Sequence, residues 1–200
     1  MCRVNRRTGT AGPGLAWLLI VTSALGTVAS FTITLDKFRL LQDPHFAPSC
    51  NLSPILSCTS VMSSGQAAVF GFPNPLLGLL LYPALAVVGC AALAGARMRG
   101  WFWLGINLAT LLAAGFCMWL MTQALYVIGT LCLWCCLTWA VAIVQVCCVT
   151  AHNVTRGVLP APRAVAGFLR EFPWAVPLTW CLAVLMLIGT RFWSYWSTLL

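Results

Sequence analysis

Four of the chain's eleven cysteines fall into two spaced pairs whose chemistry is thiol–disulfide exchange. Cys132 and Cys135 stand three positions apart where a long apolar run begins. Cys50 and Cys58 lie upstream in one of the few polar stretches. Two residues at i and i+3 on a helix share a face, so these sulfurs can meet in a disulfide. If Thr130 or Leu131 begins the helix, the pair sits in its first turn, where unpaired backbone N–H groups and the positive dipole end favour a thiolate. Two dithiols on one membrane chain can pass electrons between them. A nucleophilic sulfur at a membrane boundary also suits reduction of a lipid-soluble quinone.

The other cysteines need no such role. Cys90, Cys117, Cys147, Cys148 and Cys181 fall inside apolar runs, where free Cys behaves as a small hydrophobe. Cys136 adjoins the motif but points about 100° away around the helix, so it is expected to pack. Cys2 lies on the basic tail. A zinc site would need four ligands, with His45 as a candidate beside the cysteines, but the Cys50/Cys58 spacing does not suit a zinc motif. No metal is expected. From spacing alone, Cys50 and Cys58 could form an inert structural disulfide or a shuttling one.

The elements that must position these sulfurs are helices in a membrane. Of 200 residues, 61% are hydrophobic and 7% charged, against roughly 25% charged in soluble domains. Apolar stretches at 15–35, 74–95, 101–124, 131–151 and 174–193 each approach the ~20 residues that cross a bilayer as a helix. They do not alternate as barrel strands would. The sequence therefore predicts an all-α integral membrane protein, a bundle of four transmembrane helices plus a fifth. The net charge of +8 follows topology rather than nucleic acid. With the N-terminus cytoplasmic, Arg3, Arg6, Arg7, Arg97, Arg99, Arg156, Arg163 and Arg170 lie inside, against Lys37, Arg39 and Arg191 outside. That orientation sets both cysteine pairs on the extracytoplasmic face, where disulfides persist. Residues 1–35 carry features of a cleaved signal, but their apolar run is long for one, and they are read as a retained first span.

Along the chain, residues 1–14 form a cytoplasmic tail and 15–151 the redox domain, with an outer cap loop at 36–73. Residues 152–173 form a cytoplasmic loop, and 174–200 the fifth helix with an outer C-terminus. Within the cap, Asp43, Pro44, Pro48 and Pro54 break regular structure, and Asn51-Leu52-Ser53-Pro54 reads as a turn. The stretch 59–72 is amphipathic enough to lie across the end of the bundle. A short turn is expected at 124–130. Asp36, Lys37, Arg39 and Asp43 are expected to be solvated, with docking of a partner as their alternative role. His152 is expected in the inner loop, solvated and without a role.

The run Pro48-Ser49-Cys50, Cys58, Ser64, then Phe72-Pro73-Asn74-Pro75, then Cys132-Leu133-Trp134-Cys135 with Thr138-Trp139, resembles the vitamin K epoxide reductase family. The likeness spans roughly 15–150 and is greatest to bacterial members without a fused thioredoxin domain. DsbB-type disulfide generators carry their Cys-x-x-Cys first, the opposite order. The resemblance implies a four-helix bundle around a quinone of menaquinone or ubiquinone type. Cys132 and Cys135 would be the quinone-reducing centre, with Cys135 facing the quinone. Cys132 would exchange with Cys58, and Cys50 with Cys58 would take electrons from a separate thioredoxin-like (DsbA-like) protein. Asn74 would donate a hydrogen bond to a quinone oxygen, and Ser64 would belong to the cap near the cysteines. Vertebrate members carry Tyr where this chain has Trp139. Indole N–H can still donate to the second oxygen but cannot accept. The implied activity is disulfide formation in exported proteins. Quinone or vitamin K epoxide reduction, and a non-enzymatic membrane scaffold, are the alternatives.

Overall fold

The computed structural model describes residues 11–43 and 45–197. Cys2, Arg3, Arg6, Arg7 and Pro44, to which the sequence attached expectations, lie outside the described residues. The elements are α1 (Pro13–Gln42), α2 (Cys58–Ser63), a 3-10 turn (Gly65–Ala68), α3 (Pro75–Leu93) and α4 (Gly100–Thr122). A π-helical turn (Gln123–Ile128), α5 (Leu133–Thr155), α6 (Arg163–Glu171), α7 (Ala175–Arg191) and α8 (Trp193–Trp196) follow. Among the described residues there is no strand, only two isolated bridges. Prolines at the first positions of α1 and α3 start those helices with a preset φ and no N–H to leave unpaired.

Four helices, α1, α3, α4 and α5, are long and apolar enough to cross a membrane. The bent pair of α6 and α7, at 77° to one another, makes a fifth span if counted as one. Outward-facing Leu80, Leu112, Leu182 and Met186 are exposed, as a lipid-facing surface requires. The chain is an all-α, multi-pass membrane protein.

Inside the bundle, small residues let backbones approach, the usual device where lipid removes the hydrophobic drive between helices. The α1–α3 seam is the clearest case. A Cβ on Gly26 would stand 2.7 Å from the Tyr82 ring, and one on Gly89 would stand 2.8 Å from the Ala16 carbonyl. Ala114 and Ala142 do the same between α4 and α5. Two buried amides tie α5 to its neighbours. Gln145 donates to Thr22 and Ser23 on α1, at 3.0 and 3.1 Å. Asn153 donates to the Trp103 carbonyl and to Asn107 on α4, at 3.0 and 2.9 Å. Such bonds contribute about 0.6 kcal/mol each in membrane bundles.

The helices run further than hydropathy suggests. α1 continues to Gln42, so the loop expected from position 36 begins at Asp43. Asp36 is buried, 3.9 Å from Arg39, and Lys37 donates to the Met62 carbonyl at 2.7 Å. Neither is the solvated loop residue expected. Helix also occupies most of the expected 124–130 turn, which shrinks to the residues around Gly129, whose φ of 74° ends the π-helical turn. His152 is corrected too. It lies on α5 with its ring 4.5 Å from that of Trp103, and its buried Nε2 has no partner.

The α1–α3 seam is testable with one methyl group. Gly89→Ala is expected to cost about 1–3 kcal/mol, because its Cβ would meet the α1 backbone at Ala16 and Ile20 as well as the Ile20 side chain. Gly105→Ala, with nothing within 4 Å, is expected to be neutral or slightly stabilising. Thermal unfolding of both variants in detergent checks this.

Candidate active site

The cap between Asp43 and Asn74 is irregular, yet it is fastened at several points to the helix ends beneath it. A short parallel bridge is the most direct: Leu131 N–H donates to the Ile55 carbonyl at 2.7 Å, and Ser57 N–H to the Leu131 carbonyl at 2.9 Å. Ser57 then caps α2 by accepting from Ser60 N–H, so Cys58 is the first residue of that helix. On the other strand of the bridge, Leu131 leads directly to Cys132, the N-cap of α5. Each bridge strand thus delivers a cysteine to a helix start. Asn51 and Thr59, the neighbours of Cys50 and Cys58, are joined by two hydrogen bonds of 2.8 and 3.2 Å. The Lys37–Met62 bond pins α2 to α1.

The result is a compact sulfur cluster. Cys50 and Cys58 form a disulfide, and the Cys132 thiol sulfur lies 3.1 Å from Cys58 Sγ. Cys50, Cys58 and Cys132 are all buried, with their sulfurs within 4.8 Å of one another. Two of the three are already bonded to each other, so the cluster does not point to a metal. Cys132 and Cys135 are free thiols. Cys132 stands one residue before the helix rather than within its first turn, because Leu131 is held by the bridge. Its thiol is pushed below the ordinary value of 9.0, first by a hydrogen bond from Cys135, with the Cys135 and Trp134 backbone N–H groups adding to it. Burial and the Asp36 carboxylate oppose the shift. The balance favours a thiolate 3.1 Å from a disulfide sulfur.

A cavity of about 590 Å³ begins on the other side of this sulfur pair. It lies among α1, α3, α4, α5 and the cap, and its walls are mostly apolar. Cys132, Cys135, Ser64, Asn74 and Trp139 line it, while Cys50 and Cys58 do not. Cys132 is therefore the residue common to the sulfur cluster and the cavity. Asn74 and Ser64 are both engaged in holding the cap. Asn74 donates to the Gln66 carbonyl at 2.7 Å and accepts from Val69 N–H at 3.1 Å. Ser64 donates to the Val61 carbonyl at 2.7 Å. Asn74 precedes α3 but makes no side-chain capping bond to it. Trp139 is buried to 3% exposure. Sequence reasoning missed Tyr82, which also lines the cavity. A phenol inside an otherwise apolar span is the signal that could have found it.

Membrane-spanning helices carrying a disulfide against a dithiol, beside an apolar cavity, define a membrane protein of thiol–disulfide exchange. Residues 17–150, which reach from α1 into α5, match the model of the vitamin K epoxide reductase family, and the chain belongs to that family. Membership makes it a membrane oxidoreductase of the quinone and disulfide type. No curated protein matches the chain.

The lowered Cys132 thiol has a kinetic signature. Exchange between this pair and the loop disulfide, acid-quenched and resolved by mass, is expected to quicken with pH and level off below 9.0. In Cys135→Ala the plateau is expected at higher pH, since the first-ranked source of the shift is gone.

Proposed function

We propose that the protein is a thiol:quinone oxidoreductase that reoxidises a separate thioredoxin-like (DsbA-like) protein and so drives disulfide formation in exported proteins. The observation that carries this reading is the 3.1 Å approach of Cys58 and Cys132, with Cys135 opening onto a cavity. The basic residues Arg97, Arg99, Arg163 and Arg170 lie at the opposite end of the bundle from the cap. By the positive-inside rule they orient the cap outward, which gives the cysteines an extracytoplasmic setting in the cell membrane.

The residues divide the work as follows. A partner dithiol attacks the Cys50–Cys58 disulfide. The partner leaves as a disulfide, and the loop pair takes two electrons and two protons. The Cys58 thiolate attacks an oxidised Cys132–Cys135 bond at Cys132. A Cys58–Cys132 bond forms and the Cys135 thiolate leaves. Cys50 then attacks Cys58, restoring the loop disulfide and freeing Cys132. The arrangement of bonded Cys50–Cys58 over free Cys132 and Cys135 is the product of this step.

The cavity suits a quinone headgroup of menaquinone or ubiquinone type. Its volume falls in the range of small-molecule sites of about 300–1,000 Å³, and apolar walls with a few polar groups are the usual pattern. A bound quinone supplies the sink, taking two electrons and two protons as Cys132 and Cys135 return to a disulfide. Cys135 presents its sulfur to the cavity, Trp139 forms a wall with an indole donor, and Asn74 and Ser64 keep the cap closed over it.

Quinone reduction by the purified protein, supplied with a reduced thioredoxin-like donor, tests the reading. Turnover is expected in wild type and is expected to vanish in Cys135→Ala. A Cys50→Ala/Cys135→Ala variant, treated with a two-electron thiol oxidant such as diamide, is expected to accumulate the Cys58–Cys132 bond in non-reducing peptide mapping. Equal rates in wild type and Cys135→Ala would overturn the assignment.

A further inference from the structure

Several polar groups of the cavity are engaged with the protein itself. Ser64 Oγ donates to Val61, and Thr138 Oγ1 donates to the Cys135 carbonyl at 2.8 Å. A hydroxyl has one proton to give, so neither has one left for a ligand. One N–H of Asn74 goes to Gln66, and the Lys37 ammonium reaches back to Met62. Ser30 is buried between α1 and α3 against Gly78, and its hydroxyl ends one bond beyond Cβ.

Tyr82 is different. Its hydroxyl has an acceptor only at 3.5 Å, the Thr138 carbonyl, which is at the outer limit of a hydrogen bond. That carbonyl lies within α5, where it already serves the helix. The ring is held flat against α1 by Gly26, and the side chain is 4% exposed. Thr138 follows Cys135 by one turn, so the phenol reaches the cavity about 4.5 Å further along α5 than the sulfur.

Resting on the quinone reading above, we propose that Tyr82 is a substrate-binding residue whose hydroxyl donates a hydrogen bond to a quinone carbonyl oxygen. The phenol then comes from α3, a donor additional to the Trp139 indole on α5. Such a donor is pre-aimed and gives up little in the empty protein, because its present bond is long.

The test is the infrared carbonyl bands of a short-chain ubiquinone bound to the full-length protein, together with its affinity from tryptophan quenching. In wild type, one carbonyl band is expected below its position in detergent. Tyr82→Phe keeps the ring and its packing, and is expected to remove that lowering and to weaken binding about tenfold, the worth of one neutral hydrogen bond. Trp139→Phe is expected to leave the lowering that depends on Tyr82 in place. An unchanged band and affinity in Tyr82→Phe, or loss of the lowering in Trp139→Phe instead, would overturn the Tyr82 assignment and leave the wider reading standing. Absence of quinone binding by wild type would overturn both.

Discussion

Two backbone hydrogen bonds, between Leu131 and the segment Ile55–Ser57, set the geometry on which everything else at this end of the molecule depends. They join the cap to the turn before α5. Each strand of this small bridge runs straight to a helix start marked by a cysteine, Cys58 as the first residue of α2 and Cys132 as the N-cap of α5. Sulfur atoms brought together by loops alone would wander by several ångströms. Here the reach is set by backbone pairing. Further fastenings, from Lys37, Asn51 and Asn74, act on other parts of the cap and hold the bridge in place.

Irregular backbone at the end of a membrane bundle must find partners within the protein or in a wet cavity. The cap meets this condition by spending side-chain donors on backbone carbonyls: Lys37 on Met62, Ser64 on Val61, Asn74 on Gln66. The same economy ties up several of the polar groups beside the cavity, whose walls are mostly apolar. Below it, glycine and alanine seams draw α1 to α3 and α4 to α5.

The fold class and the sulfur chemistry were legible in the sequence because both rest on strong local signals. Long apolar runs have one structural solution in lipid, and Cys132 and Cys135 carry their own spacing. The positions of the helix ends were not legible. Asp36, Lys37 and Arg39 look like loop residues by charge, but one carboxylate buried toward the cap and one ammonium pinned to Met62 let α1 continue. His152 was read as solvated because it follows the apolar run, whereas Trp103 on a neighbouring helix covers its ring. Cys132 falls one residue before its helix because a long-range bridge claims Leu131. Tyr82 was overlooked because its neighbours across α1 and α5 are remote in sequence. Each miss involves a tertiary contact that no local window contains.

Cys132 touches both the loop disulfide and Cys135, yet a sulfur in a protein disulfide has a single bond to give. Its links to Cys58 and to Cys135 are therefore mutually exclusive, like the two throws of a changeover switch. While it is bonded to one, the circuit through the other is open. No arrangement of these four cysteines joins the cap to Cys135 by continuous disulfides at one moment. Small thiols that reduce the loop pair gain no covalent path to Cys135 without first turning that switch. The burial of Cys132, at 1% exposure, keeps them from turning it directly.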